Sequence, residues 1–179
     1  MRLRTTGVLD AASLKRQFDE SFTRPIAGEA PPAAGIIGVR IGGDRYAVRA
    51  GEVRDIARSQ GVTPVPSGAR GLLGIAGLRG RVVPVFDLAE LLGYPGLARA
   101  PAWLLLHGAA EPIAFAVEHF DGYSVVAKGD VYAAEGGGIA RAHVVEVARV
   151  GSATRPVIRL ESMRRELEAR VATRGSKER

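Results

Sequence analysis

None of the 179 residues of this chain is a cysteine, which excludes a disulfide framework, a thiolate metal site and a cysteine nucleophile. Histidine is scarce: His107, His119 and His143 stand apart, without the paired spacing a zinc site uses. Each reads as a solvated or hydrogen-bonded side chain. Aromatics are few, at five Phe, four Tyr and one Trp, and they do not alternate with basic residues as on a single-strand nucleic-acid platform. No stretch approaches the roughly 20 apolar residues of a membrane span. The opening MRLRTTGVLDAASLKRQFDE has two arginines but no apolar h-region, so it does not read as a signal peptide. A soluble, cytoplasmic protein without direct membrane insertion is the expectation. Catalytic signatures are missing as well. There is no Gly-x-Ser-x-Gly elbow, and the run Gly136–Gly138 lacks the Lys-Ser/Thr pair of a phosphate loop. Glu118 and Asp121 lie three apart with no second acid/base group to complete a catalytic carboxylate pair. The expectation is a protein that is not an enzyme, with no cofactor, metal or small-molecule substrate.

What the chain does have is apolar content, at 46%, ample for a buried core in one domain or two small fused halves. Its formal net charge of +6 comes largely from the ends: Arg2, Arg4, Lys15 and Arg16, then Arg164, Arg165, Arg170, Arg174, Lys177 and Arg179. A basic nucleic-acid-associated module is therefore the reading from a different class. The singly dispersed internal arginines and the sparse aromatics count against it.

Residues 1–34 form a polar segment and a linker. Leu14, Phe18 and Phe22 recur every four residues on one helical stripe, which fits packing on the chain's own domain or a partner-binding arm. Pro25 to Gly35 (PIAGEAPPAAG) reads as the linker. From Ile36 onward short strands alternate with turns. Ile36–Ile41 and Arg45–Arg49 flank a Gly-Gly-Asp turn, Glu52–Arg58 is a short helical or irregular piece, and Val62–Val65 is a strand between prolines. Ala102–His107 with Ile113–Val117 makes a second hairpin, and Tyr123–Ala127, Val144–Val150 and Pro156–Leu160 complete the strands. Ser162–Val171 closes as a helix, with Met163, Leu167 and Val171 spaced by four, before a basic tail over 169–179. Strands at intervals of about ten residues argue for a barrel or sandwich rather than βαβ units.

The most informative stretch is Gly71–Gly93, GLLGIAGLRGRVVPVFDLAELLG. An apolar run reaches a turn at Leu78-Arg79-Gly80, where Gly80 is expected at positive φ. A second run follows with Pro84 in it, predicting an edge strand or a bulge. Asp87 stands at an N-cap position ahead of a short helix ending at Gly93. The result is a rigid scaffold presenting one exposed arginine.

This stretch resembles the signature of the CheW family, the adaptors of bacterial chemosensory arrays, whose pattern runs roughly I-x-G-I-x-N-L-R-G-x-[IV]-[IV]-P-[IV]-x-D-L-x-x-x-L. Leu73, Gly74, Ile75, Leu78, Arg79, Gly80, Val82, Val83, Pro84, Val85, Asp87, Leu88 and Leu92 fit it. Gly77 stands where the family usually has Asn. Upstream, Val53-Arg54-Asp55-Ile56 looks like the family's V-x-E-I; downstream, Phe115-Ala116-Val117-Glu118 resembles a stretch that usually ends in Asp. The resemblance covers roughly residues 35–168, in approximate halves 35–95 and 100–160. It implies a mainly β fold of two packed five-stranded SH3-like barrels with short helices and a C-terminal helix. It also implies an adaptor, recruited to receptor arrays, that couples a methyl-accepting chemoreceptor to a CheA-type histidine kinase through a groove between the barrels. The receptor-binding positions it implies are Val53, Asp55, Ile56, Arg79 and Gly80, while the kinase-binding residues stay unassigned. Val53 and Ile56 fit core packing as well as contact with a partner, and Arg79 could instead bond to carbonyls of its own loop. Gly77, Glu118 and the divergent 124–147 segment leave open a variant that binds receptors without the kinase.

Overall fold

A computed structural model describes residues 33–96, 100–134 and 142–175, with side chains as far as 170. The stripe at Leu14, Phe18 and Phe22, the linker as far as Pro32, the Gly136–Gly138 run, the side chain of Val171 and the end of the basic tail lie outside the described residues; Ala33 to Gly35, read as the end of the linker, instead open the first strand. The described body is mainly β, with eleven strands in two sheets. The strands are β1 (Ala33–Ile41), β2 (Asp44–Arg49), β3 (Asp55–Arg58), β4 (Leu72–Leu78), β5 (Arg81–Asp87) and β6 (Trp103–His107). After them come β7 (Ile113–Val117), β8 (His119–Ala127), β9 (Val131–Ala133), β10 (Val144–Val150) and β11 (Ala153–Ile158). Two helices, α1 (Leu88–Leu91) and α2 (Leu160–Gly175), accompany them.

One sheet runs β8-β1-β2-β11-β10-β9 and the other β3-β6-β7-β5-β4. Strand membership therefore does not divide the chain at 95–100. The segment 55–117 supplies the whole five-stranded sheet, while 33–49 and 119–158 meet around it to form the six-stranded one. The sixth strand is β9, three residues too short to carry a periodic signal.

Both sheets bury residues on two faces, which is why several strands read as unbroken apolar runs. In β7, Ala114 and Ala116 point into a small core within the five-stranded sheet, with Leu78, Val83, Val85 and Leu104. The alternate residues Phe115 and Val117 enter a larger core between the sheets. In β1, Ala34 and Ile36 face a small core of the six-stranded sheet, whereas Ile37, Val39 and Ile41 join the large one. The helices seal that larger core: Leu88, Ala89 and Leu92 from the α1 region, and Leu160, Met163 and Leu167 from α2.

Three local expectations change. Asp55–Arg58 is strand β3, paired antiparallel with β6 from Asp55↔Leu106 to Arg58↔Trp103, because tertiary pairing outweighs a weak local preference. Val62–Val65 reduces to a single bridge, Thr63↔Ile75, since the neighbouring prolines cannot donate to a ladder. That bridge explains Gly74: a Cβ there would lie 2.1 Å from the Thr63 carbonyl oxygen. Pro84 lies inside a central strand rather than an edge strand, but β5 pairs with β7 only from Val85 onward. At Pro84 itself the ladder runs to β4 alone.

Candidate functional site

The β4–β5 turn carries the exposed arginine. Leu78 pairs with Arg81, so the loop is the two residues Arg79 and Gly80, at φ 52° and 74°. Two successive positive φ values make a type I′ turn, whose twist matches the flanking strands. Gly80 adopts this without strain, as expected. Arg79 is the one non-glycine residue at positive φ among the described residues, a conformation costly for a residue with a Cβ.

The turn projects Arg79 across to β3. Its Nε donates to Asp55 Oδ2 at 2.6 Å and its Nη2 to Oδ1 at 3.2 Å, a two-pronged ion pair. The hydrogen bond from Arg79 is the main reason the Asp55 carboxyl titrates below its ordinary value; the Ile56 N–H also contributes. The side chain of Arg79 remains 76% exposed, against 22% for Asp55. Strands β3 and β4 are the two edges of the five-stranded sheet, so the pair ties the edges together where the sheet curls toward closure. Arg79 thus bonds neither to its own loop carbonyls nor to a separate acid. The two charges expected to orient a partner are bound to each other.

Beside this pair lies a cleft of about 370 Å³, lined by Arg54, Asp55, Leu78, Arg79, Arg81, Val83, Leu106, Gly108, Ala109 and Pro112. All of these come from the five-stranded sheet and its loops, so the cleft is the mouth of that curled sheet rather than a groove between sheets. Leu78 and Val83 belong to its inner core and Leu106 packs against it, giving the cleft an apolar floor. Arg81 and Val83 share a face of β5 by strand alternation, which leaves Val82 on the other face and 72% exposed.

The sequence-predicted residues divide. Asp55 and Arg79 line the cleft, and Gly80 shapes the turn above it. Val53 and Ile56 are half-buried, pack against the core between the sheets and do not line the cleft. Arg54, Arg81, Leu106 and Pro112 join the site unanticipated. For the two arginines the signal was adjacency, one inside Val53-Arg54-Asp55 and the other directly after Gly80.

Other candidate groups hold structural posts. The Glu118 carboxylate accepts from the Gly42 and Gly43 amides at 2.7 and 3.2 Å, fixing the β1–β2 turn. Asp121 accepts from Arg40 and Arg155 at 3.0 and 2.8 Å. His107 lies 2.7 Å from the Glu52 carbonyl and 3.1 Å from Glu161, and His143 sits between Ser162 and Glu166 at 2.6 and 2.7 Å. Two histidines thus fasten α2 to the body. Among the described residues no cluster of three metal-ligating side chains occurs, and no helix is long and apolar enough to cross a membrane.

Comparison with known proteins agrees with this architecture. The profile of the CheW-like domain matches residues 35–162. No curated protein sequence matches the chain. Among solved structures, the scaffolding protein TtCheW from Thermoanaerobacter tengcongensis superposes with a TM-score of 0.64 at 16% identity, over 76% of this chain and 90% of that one. At that identity the likeness is one of fold. With the signature in place around Arg79 and the profile spanning both sheets, the chain belongs to the CheW-like domain family.

Proposed function

We propose that this chain is a non-catalytic adaptor of a bacterial chemosensory pathway that works in the cytoplasm at receptor arrays. In this reading it docks the cytoplasmic tip of a methyl-accepting chemoreceptor and links it to a CheA-type histidine kinase. One observation carries the docking reading. The chain holds Arg79 in a costly backbone conformation, pinned by Asp55, with the guanidinium exposed over a cleft. The hairpin turn itself calls for positive φ at this position, which Asn or Gly would meet at lower cost, so an arginine kept there supports a role for its side chain. The apolar floor supplies area for one or two partner side chains, and the planar guanidinium retains N–H groups for a receptor carboxylate or carbonyl. Val53 and Ile56 support the site from behind by fixing β3 against the core.

A second partner needs a second surface. The six-stranded sheet exposes Tyr123 and Val125 on edge strand β8, Tyr132 on the opposite edge β9, and Val145 on β10. Tyr123 and Val125, which share a face of β8 by strand alternation, are the surface we assign to the kinase. Titrations with a receptor-tip hairpin and with the kinase regulatory domain test both assignments. Arg79→Ala is expected to weaken receptor binding at least fivefold with an unchanged melt, and Tyr123→Ala to weaken kinase binding alone. Unchanged receptor affinity in Arg79→Ala would overturn the docking site.

A further inference from the structure

The cleft carries more positive charge than its ion pair uses. Most arginines of the described residues have a partner: Arg40 and Arg155 share Asp121, Arg49 meets Glu146, and Arg149 meets Asp130. Arg58 lies over the Trp103 ring. Arg54 and Arg81 are exposed and hold no ion pair or side-chain hydrogen bond among the described residues, yet both line the cleft. With Arg79 they place three guanidinium groups against the single carboxylate of Asp55, leaving two positive charges in excess. The same lining includes the apolar Leu78, Val83, Leu106 and Pro112. The combination is an apolar slot lined by one unpaired cation just before β3 and another at the start of β5.

We propose that Arg54 and Arg81 make this cleft selective for a receptor-tip helix whose docking face carries an apolar residue flanked by two carboxylates, one helical turn to either side. This rests on the docking reading above and specifies its partner. The cleft admits a side chain or two rather than a whole helix, so the helix lies across the mouth and inserts its apolar residue. Residues three or four apart on a helix share a face, which brings the flanking Asp or Glu side chains toward the two arginines. Neither arginine has an internal acid to give up, so pairing with the partner breaks no contact within the chain. Unpaired like charges lining one cleft repel one another, and a complementary acidic face relieves that repulsion while an acid-free or basic face does not.

The test uses the full chain and a soluble antiparallel hairpin from the tip of a chemoreceptor of the same organism, titrated by calorimetry at low and at physiological salt. The double variant Arg54→Glu/Arg81→Glu is expected to bind roughly tenfold or more weakly at low salt, with a shallower salt dependence than the parent. Arg54→Gln/Arg81→Gln should fall between. Changing the tip's docking-face Asp and Glu to Asn and Gln should weaken the parent protein and leave the Gln variant nearly unaffected. Arg45→Glu, an exposed unpartnered arginine on the six-stranded sheet, controls for net charge. If Arg79→Ala weakens binding but the double reversal does not, or if Arg45→Glu weakens it equally, the inference is wrong and the docking reading stands. If Arg79→Ala leaves affinity unchanged, the docking reading itself fails, and the inference with it.

Discussion

At the scale of single residues, this protein spends conformational strain and charge at one turn. Arg79 and Gly80 both take positive φ, and only Gly80 does so without a Cβ to strain. Replacing Arg79 by Gly removes the strain along with the exposed ion pair to Asp55, whose stabilising effect is small at such exposure. The expected outcome is a melting temperature within about 4 °C of the parent, together with lost receptor binding. A thermal melt beside a titration checks it, and a large drop in melting temperature would make the turn's role structural instead. Asp87 illustrates the opposite case. Its buried carboxylate accepts from the Ala89 N–H at 2.9 Å and caps α1, so Asp87→Ala should cost about 1 kcal/mol or more in denaturant unfolding. Gly80 and Asp87 were legible in sequence because turn and cap chemistry is local. The Asp55–Arg79 pair was not, since it joins residues 24 apart whose meeting depends on how the sheet curls.

Among the elements, those set by neighbours distant in sequence were the hardest to read. Strand β3 is four residues long with no clean alternation, and it exists because β6 lies beside it. Helix α2 begins at Leu160, two residues before the apolar spacing suggested, because its first amides find an acceptor far away in sequence. Glu52 Oε2 accepts from the Leu160 N–H at 2.6 Å and from the Glu161 N–H at 3.4 Å. A carboxylate at a helix N-terminus satisfies unpaired donors and opposes the helix dipole. Glu52→Ala should therefore destabilise the protein by about 1 kcal/mol. It should also speed hydrogen exchange at the Leu160 and Glu161 amides, while the rest of α2, held by His107 and His143, stays protected. Equal exchange in parent and variant would show that the cap is unimportant. The hairpins β1–β2, β4–β5 and β6–β7 were readable from turn residues and apolar runs, because their partners adjoin them in sequence.

In the whole molecule, three cores are arranged in series, a small one within each sheet and a larger one between. Phe115 and Leu105 are fully buried in the larger core. Truncation to Ala should cost about 3–5 kcal/mol at Phe115 and about 2–5 kcal/mol at Leu105 and should lower one common transition, because both sheets and both helices share that core. Two separate calorimetric transitions would contradict this. Acid should act on the molecule as a whole. Asp55, Glu146 and Glu161 titrate below their ordinary values through hydrogen bonds from Arg79, Arg49 and His107 respectively. At Asp121 partial burial works the other way and is outweighed by hydrogen bonds from Arg155 and Arg40. Carboxylates lowered on folding stabilise the native state above their unfolded pKa, near 4, and that stability is lost as pH falls through their lower folded values. Melting temperature should therefore be nearly flat above about pH 5 and fall progressively below pH 4. A melting temperature unchanged between pH 5 and pH 3 would mean these pairs contribute nothing.

By itself the sequence determined the class of fold, the family and the turn that presents Arg79. Each rests on local chemistry: alternating apolar residues, turn residues that accept positive φ, a capping carboxylate, and a contiguous signature around Arg79. Only the tertiary structure decided how the strands divide between sheets, and it set residues 55–117 apart from the segments before and after them. It also decided that Asp55 and Arg79 neutralise one another, that Val53 and Ile56 face the core, and that Arg54 and Arg81 share a cleft without a carboxylate of their own. The reason is the curl of the five-stranded sheet, which brings its two edge strands to one mouth, a closure that no spacing along the chain encodes.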